Sequence, residues 1–406
     1  MTAVRILRLA AGGDGLGKLA DGRAVFVPRT APGDLVELTG LREHKRFARA
    51  RLGRLLEVSP QRVEPRCPHY LGDECGGCQV QHLSYEAQLE SRRGFVGDAI
   101  RRLGKRDIAD PSIVPANRIY DYRTKLTLHA SADGKRIGLH PYQKPDEVFN
   151  LEWCHITTPE LMSLWQAIRK LRPLFPPGLS QIVLRLDRSG GRHVVIRVEE
   201  EEVWSGFDRL RRELERIETP ATIWYQPRGG AARAVAGAAE AFPATVFEQV
   251  HPEMGDRVRA YALEQLGGVS GLRVWDLYAG IGETTVQLVE RGASVESVEV
   301  DRRAVGEAEA RGPAARRHTG RVEELLGALR PPDLVIANPP RTGMDERVAA
   351  ELNRLTPERI VYVSCDPATL ARDLQRLERF RLCLVQAFDL FPQTTHVETV
   401  AVLEPA

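Results

Sequence analysis

The sequence predicts an α/β multidomain chain. It is expected to hold an N-terminal OB-like β-barrel, a central α+β region with a cysteine cluster, and a C-terminal doubly wound, Rossmann-like α/β domain. Three observations carry this. Residues 1–58 read as short alternating strands separated by Gly and Pro turns. Three Cys crowd into residues 67–78. From about residue 246, apolar strand-like runs alternate with amphipathic stretches. The chain has 406 residues, room for more than one domain, and boundaries are expected at 1–58, 59–245 and 246–406.

Composition excludes several classes. A content of 43% hydrophobic and 28% charged residues is that of a folded chain rather than a disordered one. No run reaches the roughly 18–20 apolar residues of a membrane span. The opening MTAVRILRLAAGGDG lacks the apolar core and cleavage site of a secretory signal, so a cytoplasmic protein without membrane contact is expected. Six Cys are too few for a disulfide framework and suit a reducing compartment. The net charge of +2 is unremarkable, but residues 1–58 carry eleven Lys or Arg against six Asp or Glu.

Element by element, GRAVFVPR and LVELTG supply strands around the turn APGD. Arg42, Lys45, Arg46, Arg49, Arg51 and Arg54 then surround Phe47. A basic strand pair with an aromatic suits a nucleic-acid backbone, and it equally suits a charged edge that deters sheet pairing. QHLSYEAQLESRRGFVGDAIRRLG has helical spacing, and strands with turns at SADGKR and HPYQKPD are expected over 118–150. QIVLRLD, RSGGR and HVVIRVE form a hairpin signal. Residues 206–217 read as helix, Glu199 to Glu202 as a solvated strand end or turn, and GGAARAVAGAAEA as a loop. The later strands are RVWDLYA, SVESVEV, DLVIANP, RIVYVSC, RLCLVQAFDL and HVETVAVLE. Only FPQT joins the last two, which predicts an antiparallel final pair.

Five motifs carry chemistry. Cys67, Cys75 and Cys78, with Cys154 downstream, suit a metal: four thiolates fit tetrahedral zinc or an iron–sulfur cluster. The missing second CxxC weakens a zinc ribbon. Asp276-Leu-Tyr-Ala-Gly280-Ile-Gly282-Glu283 follows a strand and opens a helix, and Glu299 ends the next strand, where a carboxylate can reach ribose hydroxyls. Thr285 replaces the third small residue of a dinucleotide loop. With Asp276 leading, S-adenosylmethionine fits better than NAD. Asn338-Pro-Pro-Arg341 stiffens a strand end and aims Asn338 into the cleft. Cys365, in Ser364-Cys365-Asp366-Pro367, is a candidate nucleophile at another strand end. Glu398 places a carboxylate in an apolar strand, which is costly unless it is partnered or used, and makes it a candidate general base. Cys383 reads as core.

On these residues the chain resembles the RNA uracil-5-methyltransferases, in the branch with an N-terminal TRAM domain and an iron–sulfur cluster. GDGLGKLADGRAVFVPRTAPGD is TRAM-like, RCPHYLGDECGGCQVQHLSYEAQL is similar to the cluster segment, and FEQVHPEM is similar to a cofactor-contacting segment. The resemblance implies a 4Fe–4S cluster on Cys67, Cys75, Cys78 and Cys154. It implies S-adenosyl-L-methionine contacts from Gln249, Asp276, Tyr278, Gly280, Gly282, Glu299 and Asn338. Cys365 is implied as nucleophile, Glu398 as base, and Asn338 with Arg341 as substrate contacts. The implied partner is RNA, with 23S rRNA favoured and no protein partner. Arg92, Arg93, Arg101, Arg102, Lys105 and Arg106 are candidates to hold RNA beside the barrel. Two positions depart from the family: Asn338 stands where Asp is usual, and His251 where Asn is usual. A tRNA target, a cytosine-5 or exocyclic-amine methyltransferase, and an RNA-binding protein with a vestigial fold are the alternatives.

Overall fold

The computed structural model describes residues 2–200, 204–237, 248–312 and 315–406. Strands β1 (Ala3–Leu9), β2 (Gly15–Lys18), β3 (Ala24–Val27), β4 (Leu35–Glu43) and β5 (Phe47–Glu57) form a closed barrel in the order β1-β2-β3-β5-β4. Alternation along each strand turns Val4, Ile6, Val25, Val27, Val36 and Ala48 inward. The far end of the β4–β5 hairpin is solvated and carries Arg42, Lys45 and Arg46.

Helices α1 (Pro68–Gly72) and α2 (Tyr85–Arg102) follow, then the short strand β6 (Ile113–Val114). Ser84 caps α2 by accepting from the Ala87 amide. A seven-stranded sheet comes next, with β7 (Lys125–Ala130), β8 (Ile137–Leu139), β9 (Phe149–Asn150), β10 (Leu179–Leu186), β11 (Arg192–Val198), β12 (Thr222–Pro227) and β13 (Arg233–Ala236) in the order β13-β12-β11-β10-β7-β8-β9. Helices α3 (Pro159–Lys170) and α4 (Phe207–Arg216) cover one face, where Leu161, Trp165, Leu210 and Leu214 pack on Leu128, Ile182 and Ile196. Each such fully buried side chain contributes roughly 1.5–3 kcal/mol. The expected hairpin is β10–β11. The tract expected as a loop contains β13 instead, since Ala234 and Ala236 pair with β12; its positions 238–241 lie outside the described residues, as do Glu201 and Glu202.

The last region opens with α5 (Pro252–Leu266). Strands β14 (Arg273–Leu277), β15 (Ser294–Glu299), β16 (Arg316–Thr319), β17 (Leu334–Ala337), β18 (Arg359–Ser364), β19 (Phe380–Phe388) and β20 (Glu398–Pro405) join β6 in one sheet. Its order is β16-β15-β14-β17-β18-β20-β19-β6. The first five strands are mutually parallel and β20 is antiparallel to both neighbours, so the expected antiparallel final pair is present. Helices α6 (Glu283–Glu290), α7 (Arg302–Arg311), α8 (Val322–Leu325), α9 (Glu346–Leu355) and α10 (Pro367–Arg376) fill the crossovers. Strands β6 and β16 were not foreseen: one has two residues and the other is the polar run Arg316-Arg317-His318-Thr319.

Two further expectations need correction. Cys383 is exposed, not core, because a register shift between Leu382 and Leu384 turns it outward. Arg92 is 1% exposed and cannot hold RNA; its Nη2 donates to the Thr394 carbonyl at 2.6 Å and lies 3.6 Å from Asp389. Arg101 is engaged with Asp98 and Asp110, and Arg106 with the Leu374 and Leu377 carbonyls. No helix among the described residues is long and apolar enough to cross a membrane.

Candidate active site and thiol cavity

The parallel register brings the ends of β14, β15, β17 and β18 to one edge, since Leu277 lies beside Val298 and Ala337, and Ala337 beside Tyr362. The segments beyond these ends line a cavity of about 1380 Å³, as an open α/β sheet dictates. Gln249, Asp276, Tyr278, Gly280, Glu299, Asn338, Arg341, Cys365 and Glu398 all line it, while Gly282 lies buried just behind. Arg123, Arg259 and Phe391 also line it and were not singled out from sequence; each comes from a different element, with no local spacing to mark it.

One half of the cavity is built for close approach. Gly280 and Gly282 have φ of +56° and +76°. A Cβ on Gly280 would meet nothing within 4 Å, whereas one on Gly282 would fall 2.8 Å from Ala308. Glu299 accepts from the amides of Gly280 (2.9 Å) and Asp301 (2.8 Å), which fixes its carboxylate at the end of β15. Asp276 lies beneath the loop and accepts from the Thr285 hydroxyl at 2.5 Å. Thr285, where a dinucleotide loop has a small residue, therefore has a partner here. Burial pushes Asp276 up to about 7, against the pull of Thr285 and Arg259. Gln249 packs over Gly255 at the start of α5, where a Cβ would come 2.8 Å from it. His251 begins that helix, fully buried and stacked on Tyr122 at 4.8 Å, with burial holding its imidazole down at about 4.

The other half follows from the β18–β20 register. Ser364 opposes Thr399, so Cys365 and Glu398 are brought side by side. Cys365 is half-buried; burial and the Glu398 carboxylate push its thiol up, and Arg341 pulls it down. Glu398 is 1% exposed and its Oε2 has no hydrogen-bond partner among the described residues. Burial raises it to about 8, with Arg341 opposing. Arg341 Nη2 lies 3.5 Å from His396 Nε2, and the imidazole meets the Phe391 ring edge-on at 5.8 Å. Burial lowers His396 to about 4, so it faces Arg341 as a neutral acceptor. Asn338 is exposed to the cavity, its backbone amide tied to Leu277. A thiol, a carboxylate, a cation and an amide thus share one cleft with a glycine loop.

A second, smaller cavity of about 130 Å³ is lined by Cys67, Cys75, Cys78 and Cys154 together with His155, Tyr70 and Arg123. All four distant thiols converge there. Burial raises Cys67 and Cys78 and pushes Cys75 up to about 12. Among the described residues, no group of three or more His, Cys, Asp or Glu side chains is arranged to hold a metal ion.

Residues 4–61 match the TRAM-domain model of tRNA (uracil(54)-C(5))-methyltransferase, and residues 314–405 match the tRNA (uracil-5-)-methyltransferase model. An RNA methyltransferase of Nostoc is 33% identical, with 98% of this chain and 95% of the relative covered. One from Gloeobacter violaceus is 31% identical, with 99% and 96% covered. The 23S rRNA (uracil(1939)-C(5))-methyltransferase RlmD of Thiobacillus denitrificans is 29% identical, with 99% of both chains covered. The fold is that of the Pyrococcus abyssi tRNA (uracil-54, C5)-methyltransferase solved with S-adenosyl-L-homocysteine, at a TM-score of 0.75, 24% identity and coverage of 98% and 99%. Relatives above 30% identity run nearly the full length of the chain, and both matched models describe uracil-5 enzymes. This chain belongs to the RNA uracil-5-methyltransferase family.

Proposed function

We propose that the chain methylates carbon 5 of one uridine in RNA through a temporary covalent bond to Cys365, with 23S rRNA as the target. The observation that carries the chemistry is the pairing of the Cys365 thiol with the buried, unpartnered Glu398 carboxylate in the cleft of the glycine loop. The Thiobacillus relative, named for 23S rRNA, supports the target. Both family models carry tRNA names and support tRNA as the second reading.

S-adenosylmethionine, consumed as a substrate, supplies the methyl group. The open space over Gly280 and the fixed Glu299 carboxylate fit its nucleoside, and Gln249, Asp276, Tyr278 and Asn338 complete that side of the cleft, with Gly282 shaping the loop from behind. Cys365 loses its proton to solvent and adds as thiolate to carbon 6 of the uracil, pushing an electron pair onto carbon 5 and the carbonyl. Carbon 5 takes the methyl group, and S-adenosylhomocysteine leaves. The Glu398 carboxylate then removes the carbon 5 proton, the carbon 6–sulfur bond breaks, and Cys365 departs as thiolate. Arg341 stabilises negative charge on the ring. The Asn338 amide has a donor for the ring carbonyl and an acceptor for the ring N–H, so it serves where Asp is usual. The target base must be flipped or unpaired to enter.

That all four thiols line one small cavity supports a 4Fe–4S cluster, which four thiolates can hold. Cys67, Cys75, Cys78 and Cys154 would hold it, in a structural role. Anaerobically purified protein should then carry about four irons per chain; stoichiometric zinc overturns the assignment. RNA containing 5-fluorouridine tests the main proposal, because fluorine at carbon 5 cannot be removed as a proton is. A denaturant-resistant adduct is expected and should vanish in Cys365→Ala. An active enzyme that forms no adduct removes the mechanism.

A further inference from the structure

The connection between β19 and β20, residues 389–397, leads directly into Glu398, carries Phe391 into the cleft and sets His396 against the cleft residue Arg341. A nine-residue connection with no regular structure needs outside partners for its backbone. It finds them in the thiol segment, more than 300 positions away in sequence. The amides of Gln79 and Val80, next to Cys78, both donate to the Gln393 carbonyl at 3.2 Å. The Thr395 amide donates to Gln79 Oε1 at 3.4 Å. Gln79 is fixed in turn: its Nε2 donates to the Gly76 carbonyl at 2.7 Å, and the Tyr70 hydroxyl donates to its carbonyl at 2.7 Å. Gln88 exchanges amide hydrogen bonds with Gln393 at 3.0 and 3.1 Å, and the Tyr122 hydroxyl donates to the Pro392 carbonyl at 3.0 Å. Tyr70 and Cys78 pack in one apolar cluster with Cys67 and Tyr122, so the backbone that aligns the thiols also aligns this connection.

We infer that Gln79 is a positioning residue, through which the Cys75–Cys78 turn sets the geometry of the 389–397 connection and hence of His396 and Glu398. The inference rests on the reading that Glu398 takes the carbon 5 proton. Filling the thiol cavity would tighten the turn, and emptying it would loosen a catalytic loop that does not itself line that cavity. The structural role of the thiol site thereby extends to the reaction.

Gln79→Met keeps side-chain length and the backbone bond to Gln393 and removes both side-chain amide contacts; Gln79→Glu keeps the acceptor facing Thr395. For Gln79→Met we expect kcat to fall roughly 10-fold with KM unchanged, in line with the cost of a small misplacement of a reacting group. The methylated adduct should persist longer, and hydrogen–deuterium exchange should quicken at residues 393–396 while the barrel and β14 keep their protection. Gln79→Glu should recover most of the rate. Unchanged exchange at 393–396, or a loss carried wholly by KM, overturns the inference. If the wild-type protein forms no adduct with 5-fluorouridine RNA, the proposed mechanism fails, and the exchange comparison still decides whether Gln79 holds the loop.

Discussion

Glu398, proposed as the base, sets that proposed function against stability at one residue. Its carboxyl titrates near 8 in the fold because burial strips its solvation and only Arg341 offsets that loss. A base must be deprotonated to act, and Cys365, pushed above the ordinary thiol value of 9.0, must be deprotonated as well. The kcat/KM of the enzyme should therefore rise with pH through 8 and continue upward; a flat profile from pH 6 to about 9 contradicts the assignment of these two groups. The same shift fixes a stability dependence. The folded state keeps a proton that the unfolded chain releases near the ordinary value of 4.5. The stabilisation linked to that proton is complete below the unfolded value and is lost as pH rises through about 8. Glu398→Gln removes the titration, so it should be more stable than wild type at pH 9, by on the order of 1–3 kcal/mol, and closer to it at pH 5. Identical pH dependences of thermal midpoint in the two proteins would refute this. The same variant should accumulate the methylated adduct, since no base remains to resolve it.

At the scale of elements, the glycine loop between β14 and α6 separates strain from binding. Both glycines have left-handed backbone, which costs an L-residue about 1–2 kcal/mol. An alanine methyl at Gly282 also meets Ala308 at 2.8 Å, so Gly282→Ala should lose stability beyond that strain. At Gly280 the methyl enters open space, so Gly280→Ala should cost only the strain yet weaken S-adenosylhomocysteine binding. Thermal melts with calorimetric titration check the contrast; equal stability losses would refute it. This loop was legible in the sequence because strand, turn and helix are contiguous; a strand end marked Cys365 as a candidate, and a carboxylate inside an apolar run marked Glu398. What was not legible is long-range or register-dependent. The bulge that exposes Cys383 leaves no mark in an apolar run. Arg92 reads as a solvated helix residue until the 389–397 connection covers it. His396 gains meaning only when Arg341, 55 positions away, reaches it.

Across the whole molecule, basic residues that could meet RNA differ in what surrounds them. Arg101 on α2 is bound to Asp98 and Asp110, and Arg106 beyond α2 donates to the Leu374 and Leu377 carbonyls at the end of α10, joining the central region to that helix. Arg42, Lys45, Arg46 and Arg51 on the barrel hairpin are exposed, and none has a salt-bridge partner among the described residues. Phe47 stacks on His44 at 4.4 Å beside them and offers a flat apolar face. At these four hairpin residues a phosphate backbone competes with no salt-bridge partner among the described residues, whereas at Arg101 and Arg106 it would have to displace ion pairs and expose carbonyls. RNA affinity should therefore fall with salt mainly through the hairpin. Replacing Arg42, Lys45 and Arg46 together by Ala should reduce the slope of log affinity against log salt by about 2 to 3, near one per lost phosphate contact. Binding of S-adenosylhomocysteine and the thermal midpoint should not move, since these side chains touch neither the cleft nor the core. Arg106→Ala should do the reverse, lowering the midpoint while the slope stays put. Filter binding between 50 and about 200 mM salt, the range over which phosphate contacts dominate affinity, measures both slopes. A slope unchanged by the triple substitution would move the RNA off the barrel hairpin altogether.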